Sequence, residues 1–216
     1  MNKIKLSNLK LKTFTEQDAT DYCQINNINT DNITELDLTN NKLTDISGIK
    51  LFKNIKELCL NNNKLTDISV IKPFKNLEYL NISFNKITDI SVLKDLNKLK
   101  TLYLKINKIT DISAIQNLNI LEYLDISSNQ ITDISVLKDL NNLKTLEFGF
   151  NNIKDISIIQ YLNNLQTLDI RGLELESDQI KYINSLKNLK YLFCKNGFKD
   201  MSVLDQINKN IRIIKN

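Results

Sequence analysis

A chain of 216 residues that is 42% hydrophobic and 25% charged can bury a substantial core as one folded domain, and four Gly with a single Pro exclude a flexible linker. The net charge of +4 comes from lysines scattered along the whole length, so no basic arm for nucleic acid stands out. There is no His, and Cys23, Cys59 and Cys194 lie far apart, which removes the usual zinc ligand sets, the commonest general base and a small disulfide framework.

The first residues, Met1 to Lys10, mix charge with apolar positions and contain no apolar run of signal-peptide length. No later stretch approaches the length of a membrane span. A reduced, cytoplasmic location is therefore expected, with signal-independent export left open. Residues 1–33 carry no obvious period. Thr15-Glu16-Gln17-Asp18 has the form of a capping box, and Ala19, Tyr22, Cys23 and Ile25 supply an apolar face behind it. Residues 1–33 are expected to form an N-terminal helical cap.

From residue 34 a 22-residue period takes over. One unit runs Leu99-xx-Leu102-x-Leu104-xx-Asn107-x-Ile109-xx-Ile112-xx-Ile115. Its apolar-x-apolar centre predicts a short strand whose neighbour lies one repeat away, so the strands stack in parallel. Eight such centres fall at Leu36, Leu58, Leu80, Leu102, Leu124, Leu146, Leu168 and Leu192. After each strand the chain turns while buried. An asparagine stands at that point in six units: Asn41, Asn63, Asn85, Asn107, Asn129 and Asn151. An amide carries both an acceptor and donors, so it can bond backbone groups that the strands leave unpaired, and these six residues are expected to be structural. A second column, Asp45, Asp67, Asp89, Asp111, Asp133 and Asp155, is followed each time by Ile-Ser and a short apolar turn. One carboxylate per coil suits a helix N-cap better than calcium, which needs six to eight converging oxygens. No metal and no cofactor are expected.

Towards the C-terminus the rule breaks. Leu173 stands where Asn belongs, the next strand follows after 24 residues, and Gly197 replaces the next Asn. Residues 177–183 suggest a fuller helical turn, and Ile211-Arg212-Ile213-Ile214 a last edge strand. Residues 34–192 are thus expected to be repeats and 193–216 a C-terminal cap.

The motif Lxx-L-x-L-xx-N-x-I-x-D-I, followed from about residue 33 to 170, resembles the leucine-rich repeat family, in the 22-residue class shared by internalins and SDS22-like phosphatase regulators. The resemblance implies an α/β solenoid: a curved parallel β-sheet on the concave face and short 3₁₀ or helical turns on the convex face. It also implies partner binding on that sheet without catalysis. Internalins carry a signal peptide and a C-terminal surface anchor, and neither pattern is seen here. The two roles implied are a regulatory subunit of a cytoplasmic enzyme and an internalin-like secreted protein that meets a host.

Residues flanking the apolar strand positions point outward and vary from coil to coil. Tyr79, Tyr103 and Tyr123 fall on adjacent strands, where exposed aromatics suit an interface. Phe84, Ile106 and Phe150 precede the ladder asparagine and are expected to be accessible. Asp125, Glu147 and Arg171 complete the candidate partner-binding set. Counted over the eight strands, the face is net acidic although the chain is basic, which argues against nucleic acid and leaves room for a basic protein. The partner is expected to be another protein and the chain a monomer. Cys59 lies among carboxylates that oppose a thiolate, so no catalytic residue is expected.

Overall fold

The computed structural model describes residues 2–215. Its centre is one sheet of ten parallel strands in chain order. They are β1 (Lys3–Lys5), β2 (Glu35–Asp37), β3 (Glu57–Cys59), β4 (Tyr79–Asn81), β5 (Thr101–Tyr103), β6 (Tyr123–Asp125), β7 (Thr145–Glu147), β8 (Thr167–Asp169), β9 (Tyr191–Phe193) and β10 (Arg212–Ile214). Each is only three residues long because the middle leucine or isoleucine points into the core and its flanks point out. Equivalent positions pair along the stack, Leu80 opposite Leu102 and Leu102 opposite Leu124, so every unit repeats one register. These central leucines are almost wholly buried and form one continuous core with the apolar residues of the turns.

Opposite the sheet, six short 3₁₀ turns start at Ser47, Ser69, Ser91, Ser113, Ser135 and Ser157. The aspartate column serves them in a way that differs from the expected N-cap. The residue before each turn is an isoleucine whose side chain makes no cap bond. The aspartate one place earlier accepts the serine N–H two residues ahead, at 2.7 Å for Asp89, Asp111 and Asp133. That is an Asx turn, one residue upstream of a true cap. The bond holds the Asp89 carboxyl below the ordinary carboxylate range.

At the N-terminus the expected helix is present as α1 (Glu16–Ile25), with Thr15 and Asp18 in a reciprocal capping box. Ala19 and Cys23 are buried, but Ile25 is 82% exposed and does not belong to the inner face. Strand β1, which precedes α1, was not expected from the sequence. It pairs with β2 and makes the first 33 residues part of the sheet rather than a helix alone. α1 packs on the next turn at Gly48, whose N–H donates to Phe14 O at 2.8 Å. A Cβ there would lie 2.3 Å from Thr15 O. The fuller turn near residue 180 is a 3₁₀ turn running into α2 (Ile180–Asn184), and β10 is the edge strand expected at the C-terminus.

Charge alternates along one edge of the sheet. The residue entering successive strands from β3 is Lys56, Glu78, Lys100, Glu122, Lys144, Gln166 and Lys190. Lys100 meets Glu78 at 2.7 Å, Lys144 meets Glu122 at 2.6 Å, and Lys190 donates to Gln166 at 3.1 Å.

Candidate binding face

The asparagine ladder fixes the geometry of this face. Asn107 shows the unit. Its Nδ2 donates to Leu104 O of its own coil and to Ile82 O of the coil before, each at 3.0 Å. Its Oδ1 accepts the Ile87 N–H at 3.0 Å. Asn85, Asn129 and Asn151 repeat the pattern. Asn41 makes the same kind of tie to the N-terminal loop, accepting from Leu9 and Leu11 N–H. Most strand-end carbonyls therefore receive two amides, one from each of two successive asparagines.

On the concave side the three tyrosines form one stack. Ring centroids lie 5.7 Å apart for Tyr79 and Tyr103 and 4.6 Å apart for Tyr103 and Tyr123, in tilted contact. All three are half-buried by their neighbours. The Tyr123 hydroxyl donates to Glu147 Oε1 at 2.5 Å. Burial first, and that bond second, push the Tyr123 phenol upward.

The stacked carboxylates differ from expectation in two ways. First, Asp125, Glu147 and Asp169 find their partners within the chain. Asp169 is 1% exposed and holds the Arg171 guanidinium through three hydrogen bonds, with Arg171 also lying over the Phe193 ring at 5.6 Å. Asp125 is only 4% exposed and accepts from Ser127 N and Oγ. Its carboxyl is thus not open to a partner. Burial, outweighing the Ser127 bonds that act to lower it, pushes it above the ordinary carboxylate range, and burial raises Glu147 likewise. Second, the face is not net acidic once all ten strands are counted. β1 and β10 add Lys3, Lys5 and Arg212 to Lys105, Arg171 and Lys195, which matches the six carboxylates Glu35, Asp37, Glu57, Asp125, Glu147 and Asp169 in number.

The rim residue before each ladder position holds a left-handed backbone in nine coils. The series is Asn8, Asn40, Asn62, Phe84, Ile106, Ser128, Phe150, Gly172 and Asn196, with φ between 51° and 69°. Asn and Gly tolerate this conformation, whereas a bulky L-residue costs about 1–2 kcal/mol, most of all when β-branched like Ile106. Even so, Phe84, Ile106 and Phe150 occupy it with their side chains 45%, 39% and 52% exposed. The Phe150 ring lies over Gly172, where a Cβ would meet it at 2.6 Å. Phe84 and Ile106 stand on the same coils as Tyr79 and Tyr103, at the rim rather than in the stack.

Sequence reasoning missed the cations of β1 and a second amide ladder on the far edge of the sheet. There Asn142, Asn164 and Asn188 each donate to a backbone carbonyl of the coil before, at 2.6 to 2.8 Å. The signal was present, since all three stand just before the apolar residue that opens a unit. Cys59 offers no chemistry on this face: burial, then Asp37, raises its thiol to about 11, so the nucleophilic thiolate is scarce. Among the described residues no group of three acidic or sulfur ligands is placed to hold a metal ion, and no helix is long and apolar enough to cross a membrane.

Three stretches, residues 31–73, 75–118 and 121–161, match the sequence model described as Leucine Rich repeats (2 copies). No curated protein matches the chain. Among solved structures it is similar to an internalin (inlF) from Listeria monocytogenes str. 4b F2365, with 34% identity and a TM-score of 0.78 over 84% of this chain and 54% of that one. The chain therefore spans about half the length of that internalin. It is also similar to internalin C2 of the same strain, with 31% identity and a TM-score of 0.78 over 86% of this chain and 81% of that one. A TDR receptor shares the fold at 20% identity, with a TM-score of 0.75 over 90% of this chain and 34% of that one.

Proposed function

The chain belongs to the leucine-rich repeat family, and from that premise we propose that it is a non-enzymatic scaffold that binds another protein on its concave sheet. One observation carries this. Tyr79, Tyr103 and Tyr123 stack in direct contact on the sheet, and Phe84 and Ile106 expose further apolar side chains at the rim of two of the same coils. Exposed aromatic groups of that size are the usual anchors of interfaces. Glu147, held by Tyr123, and Arg171 add charge beside the stack, Phe150 is a further exposed apolar group on the rim beyond Ser128, and Asp125 is buried with Ser127.

The test replaces Tyr79, Tyr103 and Tyr123 together by Ser. Partners are captured from the native cell on the wild-type protein and identified by mass spectrometry. Loss of the captured partner by the variant at an unchanged Tm supports the assignment, and undiminished capture removes it. Likeness to two internalins, at 34% and 31% identity, favours an internalin-like role with an extracellular partner over a regulatory subunit of a cytoplasmic enzyme. Fractionation of the native cell separates the two.

A further inference from the structure

We propose that the occupant of this face is a linear segment of the partner in which a Lys or Arg stands about four residues from a bulky apolar residue. The cation would sit at Glu57 and Tyr79, and the apolar side chain on Phe84 and Ile106. This rests on the concave-face assignment and adds to it a partner chemistry and a set of contact residues.

Two independent observations lead there. The first is backbone strain kept in place. Six of the nine left-handed rim positions carry Asn, Ser or Gly, the residues that the turn accepts. Phe84 and Ile106 depart from that on neighbouring coils, and both expose the side chain that the turn disfavours. The turn requirement does not account for them. Strain retained at an exposed site is a mark of function.

The second is charge left uncompensated. Glu35 pairs with Lys3 and Asp169 with Arg171, while Glu147 and Asp125 accept hydroxyl bonds. Glu57 is exposed and, among the described residues, makes neither an ion pair nor a side-chain hydrogen bond. It lies in register with Glu35, already held by Lys3, on one side and with Tyr79 on the other, so its own charge is free beside a π face. A guanidinium or ammonium group fits such a pair. Glu57 and Tyr79 open their strands while Phe84 lies beyond the strand end, an offset of about 15 Å, the reach of about four to five residues of extended peptide.

A random-peptide phage library panned on the immobilised wild-type protein supplies the probe. Enriched peptides are synthesised, and their Kd is measured by fluorescence anisotropy on wild type, Glu57→Gln and the double variant Phe84→Asn with Ile106→Asn. The Tm of each protein is recorded alongside. The expected result is enrichment of Arg or Lys about four residues from Phe, Leu, Ile or Trp, with at least a tenfold loss of affinity in the double variant and several-fold in Glu57→Gln. Because Asn suits the left-handed turn, the double variant is expected to melt no lower than wild type, so lost binding is not lost folding. Absence of enrichment, enrichment of peptides without a cation, or affinity unchanged in both variants overturns the proposal. If the peptides still require the tyrosines in any of those cases, the concave-face function stands without it. If the tyrosine variant also retains the native partner, both fall.

Discussion

Replacing Asn107 by Ala tests how the ladder holds the turns, and the cost follows from counting partners. The Ile82 and Leu104 carbonyls each lose one amide but keep another, from Asn85 at 3.0 Å and from Asn129 at 3.1 Å. The Ile87 N–H has only the Asn107 oxygen and is orphaned. One orphaned buried N–H costs about 1–3 kcal/mol, and two lost bonds to still-satisfied carbonyls add about 0.5–1.5 kcal/mol each, for a total of roughly 2–6 kcal/mol. That is a large part of a domain stability of about 5–15 kcal/mol. Asn151 closes the ladder, and the same substitution there should cost more. It orphans the Ile131 N–H and also the Phe148 carbonyl, because Leu173 offers no amide to replace the one removed. Urea unfolding followed by far-ultraviolet circular dichroism measures both. Asn107→Asp keeps the acceptor but sets a carboxylate oxygen against two carbonyls, so it should destabilise at least as much as Ala. A loss below about 1 kcal/mol for Asn107→Ala, or Asn151→Ala milder than Asn107→Ala, would refute the sharing scheme.

Gly48→Val restores the residue found at the equivalent Val70, Val92 and Val136, yet its Cβ would sit 2.3 Å from Thr15 O. It should lower stability by about 1–3 kcal/mol and speed amide exchange in α1, seen by hydrogen-exchange mass spectrometry. Asp125→Asn should raise the Tm at neutral pH. Burial lifts the folded-state pKa of Asp125 above its unfolded value, so the ionised carboxylate opposes folding at high pH, and that penalty fades as pH falls through the folded pKa. The advantage of the variant should therefore shrink on acidification and vanish below about pH 4, the unfolded value; an advantage that grows on acidification would contradict this. Lys100→Glu should lower the Tm slightly at low salt and not at high salt, because the pair with Glu78 is exposed.

Much of the fold was legible because the repeat carries its own turn chemistry. Strands β2 to β9 follow from the apolar pairs, and the ladder from the amide's mixed donors and acceptors. β1 was hidden by α1. Ile4, Leu6, Leu11 and Phe14 match the apolar positions of a coil, but the inserted helix sets Ile4 and Leu36 a distance of 32 apart instead of 22, and Leu9 fills the ladder site. Missing that strand also misjudged the charge of the face. Within the candidate site, the contact of the tyrosines was foreseeable from strand adjacency. The burial of Asp125 was not, because it depends on Ser127 folding back onto it. Nor was the left-handed backbone of Phe84, Ile106 and Phe150, since the turn imposes it against the preference of those residues.

The alternation of Lys and Glu at the strand entrances implies a unit of growth. Loss of a single coil would bring Lys56 beside Lys100, or Glu78 beside Glu122, and set like charges in register. Loss of two coils restores every opposite pair. Charge at this edge therefore favours lengthening or shortening the solenoid in steps of 44 residues, twice the visible period, by the small margin of an exposed ion pair.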